Sequence, residues 1–94
     1  MPFYTKKPLA VEAIKFTNEG FEFKPPWLNE AISNETVIFD LARGEFHVKT
    51  LEGTMTGSVG SYLIRGLKNE LYPCRGDIFE QAYEAVYKPN EGNN

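Results

Sequence analysis

A chain of 94 residues is enough for one domain and one buried core without disulfide or metal staples. Its 41% hydrophobic and 14% aromatic content sets it apart from disordered chains, and a net charge of −3 argues against non-specific DNA binding, which needs several lysines or arginines on phosphates. The one cysteine, Cys74, excludes an internal disulfide, no run approaches a membrane span, and the opening MPFYTKKPLA has no signal-peptide apolar stretch, so a soluble, intracellular protein is expected.

In chain order, Leu9 to Phe16 is short and apolar-rich and reads as a first strand, and Phe21 to Phe23 as a short extended piece. Pro25-Pro26 prepares a helix start, and Trp27, Leu28, Ala31 and Ile32 form one apolar stripe, predicting an amphipathic helix over about 26–33 that stops at Ser33-Asn34. From Thr36 the apolar period drops to two. Val37 to Phe39 reads as a strand and Ala42 to Gly44 as a turn. Phe46 and Val48 mark a second strand, and Thr54 to Thr56 return after Glu52-Gly53. Tyr62 to Ile64 is the best strand, turned by Gly66 to Asn69 into Glu70 to Tyr72, with Asn69 at positive φ. Pro73 should end that strand or put it on an edge. Asp77 and Glu80 read as a D-x-x-E capping box opening a helix over about 77–83, with Ile78/Ala82 and Phe79/Tyr83 facing the sheet. Ala85 to Tyr87 reads as a last strand, and the end of the chain, 89–94, as a frayed tail. The expected fold is α+β: one domain over 1–94, built on a curved, mostly antiparallel sheet or half-barrel with one amphipathic and one short C-terminal helix.

Several segments occur in a familiar order. Tyr4-Thr5-Lys6-Lys7-Pro8-Leu9-Ala10-Val11-Glu12-Ala13 opens the chain, and Thr50 to Met55, Gly60 to Gly66, Glu70 to Cys74, Asp77 to Glu80 and Tyr83-Glu84 follow. Together they resemble a family of small uncharacterised phage and prophage proteins, related to a group named for its PGDYG motif. The similarity spans both ends and the C-terminal half and leaves the middle, from about Thr17 to Glu45, unmatched. It implies phage origin and a shared fold, and brings no activity with it. Where the family has Gly-Asp-Tyr this chain has Gly60-Ser61-Tyr62, so any role of that acidic residue does not carry over. Arg75-Gly76-Asp77 likewise replaces Lys-Pro-Asp.

Few residues offer catalysis. Cys74 and His47 are the only nucleophile–base pair, but no glycine-rich nucleophile turn surrounds Cys74, and a lone cysteine is most simply a small buried hydrophobe. One His and one Cys fall short of a zinc site, and no cofactor motif is present. Asp77 and Glu80 could form an acid/base pair, although capping explains both. The set with binding chemistry is Trp27, Tyr62, Arg65, Tyr72 and Arg75: arginine forks grip phosphates or carboxylates, and aromatic faces stack on bases. Strand alternation puts Tyr62 with Ile64 on one face and Leu63 with Arg65 on the other, so Tyr62 and Arg65 need not meet. Arg65, Lys68 and Arg75 could still gather into a local basic patch.

The leading expectation is a non-enzymatic phage accessory protein in the host cytoplasm that binds a small anionic or nucleotide-type ligand or a host protein. Sequestering a host defence signal would be one such task. The alternatives are a small enzyme using Asp77/Glu80 or Cys74, and a structural phage protein that self-associates, for instance as a homodimer, through an exposed sheet edge.

Overall fold

The computed structural model describes residues 2–4 and 10–85. The chain folds as α+β, with two antiparallel sheets that do not close into a barrel. β1 (Glu12–Thr17), β2 (Gly20–Phe21), β6 (Tyr62–Arg65) and β7 (Leu71–Cys74) form one sheet in the order β2-β1-β6-β7. β3 (Val37–Asp40), β4 (Glu45–Thr50) and β5 (Gly53–Ser58) form the other, a meander. The helix α1 (Pro26–Ser33) links the two sheets in sequence, and α2 (Gly76–Ala82) follows β7.

α1 has the bounds that its sequence predicts. Pro26 occupies the first turn, where a missing N–H costs nothing, and Asn34 caps the C-terminus. Its stripe buries Leu28 and Ala31 and half-buries Trp27 and Ile32. Glu35, just past the helix, takes φ 64°, and its N–H donates to the Ile32 carbonyl at 3.1 Å. A glutamate in this left-handed conformation is strained, because its Cβ crowds the carbonyl oxygen.

The core is aromatic. Phe16 on β1 is fully buried, with ring centroids 4.9 Å from Phe21, 5.0 Å from Phe46 and 6.3 Å from Phe39. Ile14, Leu28, Ala31, Val37, Val48 and Leu63 complete it. Ile64 is equally buried, but alternation points it away from Leu63 and this cluster.

Several expectations shift. The first strand starts at Glu12 rather than Leu9, which lies outside the described residues, and runs one residue past Phe16. Of the two outcomes expected at Pro73, the edge placement holds: β7 runs through Pro73 to Cys74 as an edge strand, a setting that tolerates proline. Asn69 has φ 64°, as its turn requires. The predicted capping box does not form. Arg75 takes the N-cap position with no side-chain cap, Asp77 lies within α2, and its carboxylate binds the Arg75 guanidinium at 3.1 and 2.6 Å. Ile78 and Ala82 are exposed rather than turned to the sheet, whereas Phe79 stacks on Tyr62 of β6 and Tyr83 meets Tyr72 of β7. Cys74 is half-buried on the edge strand instead of buried. Ala85 is not in a strand, and the remainder of that predicted element and the tail lie outside the described residues.

Candidate functional site

The two faces of β6 separate the predicted site residues. Phe16 N–H donates to the Ser61 carbonyl at 2.9 Å, which sets the register that pairs Glu12 with Arg65 and Ile14 with Leu63. Arg65 therefore lies on the core side of the sheet, at its end, while Tyr62 lies on the far side.

On the core side, Arg65 Nη1 donates to Glu12 Oε1 at 2.5 Å, and the other carboxylate oxygen of Glu12 accepts the Trp27 indole N–H at 3.2 Å. The guanidinium carbon stands 5.8 Å from the centroid of the Trp27 ring, within cation–π range. One carboxylate thus ties the first strand to both an arginine of β6 and the tryptophan of α1. Beside this triad lies an open cleft of about 610 Å³ on the surface. Trp27, Ala31 and Leu71 give it an apolar wall. Lys49 and Arg65 are its cations, and Glu30 and Glu70 its carboxylates. Asn34 and Thr36, on either side of the strained Glu35, also line it, as does Asn69.

On the far side, Tyr62, Phe79 and Tyr83 form a continuous stack. Centroids are 4.0 Å apart between Tyr62 and Phe79 and 4.6 Å apart between Phe79 and Tyr83, with planes 21° and 16° from parallel. The Tyr62 hydroxyl donates to Glu80 Oε2 at 3.0 Å, and Tyr72 neighbours Tyr83. These tyrosines hold α2 against the sheet. Partial burial raises the Tyr62 pKa, helped by the hydrogen bond to Glu80, and partial burial followed by the nearby Tyr83 raises that of Tyr72. Unfolded tyrosines titrate near about 10. Folded-state values above that contribute stability that is fully present below pH about 10 and is lost as pH rises through them. The melting temperature is therefore expected to fall faster above pH about 10 in the wild type than in Tyr62→Phe, which a melting series across alkaline buffers will check.

Arg75 joins neither group. It is exposed and paired with Asp77, whose carboxyl it holds below the usual carboxylate range. Trp27 and Arg65 thus come together, Tyr62 and Tyr72 share a different surface, and Arg75 stands apart. His47 Nδ1 contacts Thr56 Oγ1 at 2.9 Å on the second sheet, while Cys74 pairs with Tyr62 on the first. Ser61 is buried, and its Oγ accepts the Ser58 N–H at 3.4 Å in the corner between β5 and β6, which is a structural role. Among the described residues, no three His, Cys, Asp or Glu side chains are grouped to hold a metal ion, and no helix is long and apolar enough to cross a membrane.

Glu12 and Lys49 were not among the predicted site residues. The Glu12–Arg65 pair joins positions 53 apart in sequence, and only the β1–β6 register reveals it. No family model matches the chain, and no match was found among curated proteins or solved structures.

Proposed function

We propose that this chain is a non-enzymatic binding protein of phage origin, acting in the host cytoplasm, that holds a small anionic or nucleotide-type ligand in the cleft beside Trp27 and Arg65. The observation that carries this reading is the arginine held close to an indole at the wall of an open cleft, with Lys49 as a second cation on the lining. A base can stack on the indole, and a phosphate can compete with Glu12 for the arginine fork. Glu35, left-handed between the cleft-lining Asn34 and Thr36, is strained at the same place, and backbone strain of this kind concentrates at functional sites. Origin and compartment rest on the motif resemblance and on the single cysteine. Sequestering a host signal would suit such a protein. Leu51, fully exposed at the β4–β5 hairpin tip on the cleft rim, favours a host protein as the second reading.

Trp27 is the only tryptophan, so its fluorescence reports on the cleft directly. Titration with AMP and with inorganic phosphate is expected to change its emission saturably. Arg65→Ala should weaken the response about 10- to 100-fold, the value of a charge-assisted hydrogen bond, while Arg75→Ala should leave it unchanged. Native mass spectrometry of protein from a bacterial host should show an extra mass that leaves on denaturation. A silent tryptophan together with a bare mass would sink the small-ligand reading and turn attention to Leu51.

A further inference from the structure

The sheet edges are not equally protected. In the β6–β7 pair, Gly66 N–H donates to the Glu70 carbonyl at 2.8 Å, so by alternation Leu71 and Pro73 turn their backbone groups outward. Proline has no N–H to offer there, which blunts that edge. β3 packs beside α1, and β2 is only two residues long. β5 packs beside β7 but forms no ladder with it, and it has neither a proline nor so short a span. Its sequence, Gly53-Thr54-Met55-Thr56-Gly57-Ser58, contains no charge and no proline, and it is exposed from Gly53 to Thr56.

Two hydrogen bonds fix which groups β5 leaves free. Val59 N–H donates to the Gly44 carbonyl at 3.0 Å, and Lys49 N–H donates away from β5 to the Thr36 carbonyl at 2.9 Å. Both place Phe46/Gly57 and Val48/Met55 as hydrogen-bonded pairs, and His47/Thr56 and Lys49/Thr54 as non-hydrogen-bonded ones. The N–H and C=O groups of Thr54 and Thr56 therefore point out of the sheet, with no backbone partner among the described residues.

The free segment is also a palindrome: Gly53-Thr54-Met55-Thr56-Gly57 reads the same in both directions. We propose that β5 is a homodimerisation edge, pairing antiparallel with β5 of a second copy about a two-fold axis through Met55. In this register Thr54 of one copy stands opposite Thr56 of the other, and each such pair exchanges both outward hydrogen bonds. Met55 meets itself as a non-hydrogen-bonded pair, in the correct alternation. Facing threonines are a favourable cross-strand pair, and no charged residue opposes another across the new seam. The two three-stranded sheets become one continuous sheet. A second copy is the occupant that fits, because only a partner with the same pattern of outward groups and threonines matches the palindrome in a closed, two-fold contact.

Sedimentation velocity from about 10 μM to about 1 mM is expected to show a concentration-dependent monomer–dimer equilibrium, since a single strand pair is a small interface. Thr54→Lys/Thr56→Lys puts lysine opposite lysine and should weaken the dimer about tenfold or more, whereas Thr54→Lys/Thr56→Glu puts lysine opposite glutamate and should retain it. Both changes are at exposed positions, and a thermal melt confirms that each variant is folded. In a Cys74→Ser background, Met55→Cys should cross-link under mild oxidation, because facing Cα atoms in such a pair lie about 4.5 Å apart. Thr54→Cys, diagonal to itself, should not. A protein that stays monomeric at about 1 mM, or a dimer indifferent to the double lysine change, overturns the assignment.

Discussion

Gly57→Ala is expected to lower stability by about 2–3 kcal/mol, a cost at the upper end of what core overpacking produces. Gly57 pairs directly with Phe46 across β4–β5 and points into the core. A Cβ built there would lie 2.5 Å from Phe46 Cε1 and 3.1 Å from Cε2, and closer still to Cζ. The ring cannot retreat, because Phe16 and Phe21 pack on it at centroid distances of 5.0 and 5.2 Å. The glycine thus provides the floor on which the central phenylalanine lies. For a domain of this size the loss corresponds to about 10–20 °C in melting temperature, which calorimetry will resolve. Gly57→Ala/Phe46→Leu should recover part of it, since a smaller side chain opposite the new methyl relieves the overlap. Neighbours that share one space are not additive. A double variant no better than Gly57→Ala would show that the clash is not the cause.

This dependence cannot be read from the strand's own residues. Within Gly53–Ser58 the apolar alternation is nearly absent, and the glycine acquires meaning only when the register sets it against Phe46. Local signals were legible where the chemistry is local. The two prolines and four apolar positions of α1 define its span, and Asn69 occupies the left-handed turn position suited to its side chain. The division into two sheets was not legible, because it depends on which edges pair. The capping reading of Asp77 fails by position. The helix opens at Gly76 behind Arg75, so Asp77 stands inside the first turn, where its carboxylate binds the Arg75 guanidinium and accepts the Ile78 backbone N–H at 2.9 Å.

The candidate site was half legible for a related reason. Alternation along β6 already separated Tyr62 from Arg65, but it could not say which face held the cleft. That depends on Glu12, which reaches Arg65 through the β1–β6 register and Trp27 through the packing of α1. An arginine, a tryptophan and a glutamate dispersed over the chain carry no common local signature. Their chemistry arises only when strand and helix meet. The tyrosines stood out in the sequence for the same aromatic character that the structure uses to dock α2.

Gly76→Ala should release α2 while leaving the aromatic core folded. α2 is seven residues long and buries none of them fully, so its attachment depends on the Phe79 stack on Tyr62, the Glu80 bond to the Tyr62 hydroxyl, the Tyr83–Tyr72 contact just past its end and one close backbone approach. At that approach a Cβ on residue 76 would overlap the Gly60 carbonyl oxygen outright and lie 3.2 Å from its carbon. Gly60 cannot yield easily: it sits at φ 95°, and its N–H is bound to the Phe16 carbonyl at 2.8 Å. The helix must therefore move, and with it go the Tyr62–Phe79 stack, worth about 0.5–1.5 kcal/mol beyond its buried area, and the Glu80 hydrogen bond. Near-ultraviolet circular dichroism should lose its tyrosine signal. The Tyr62 pKa should fall back toward its ordinary value, and amide protection should vanish over Gly76–Ala82 while persisting at Phe16 and Phe46. Loss of protection across both sheets at once would mean that α2 belongs to the same cooperative unit as the core. Unchanged tyrosine titration would mean that the close approach at Gly60 does not hold the helix.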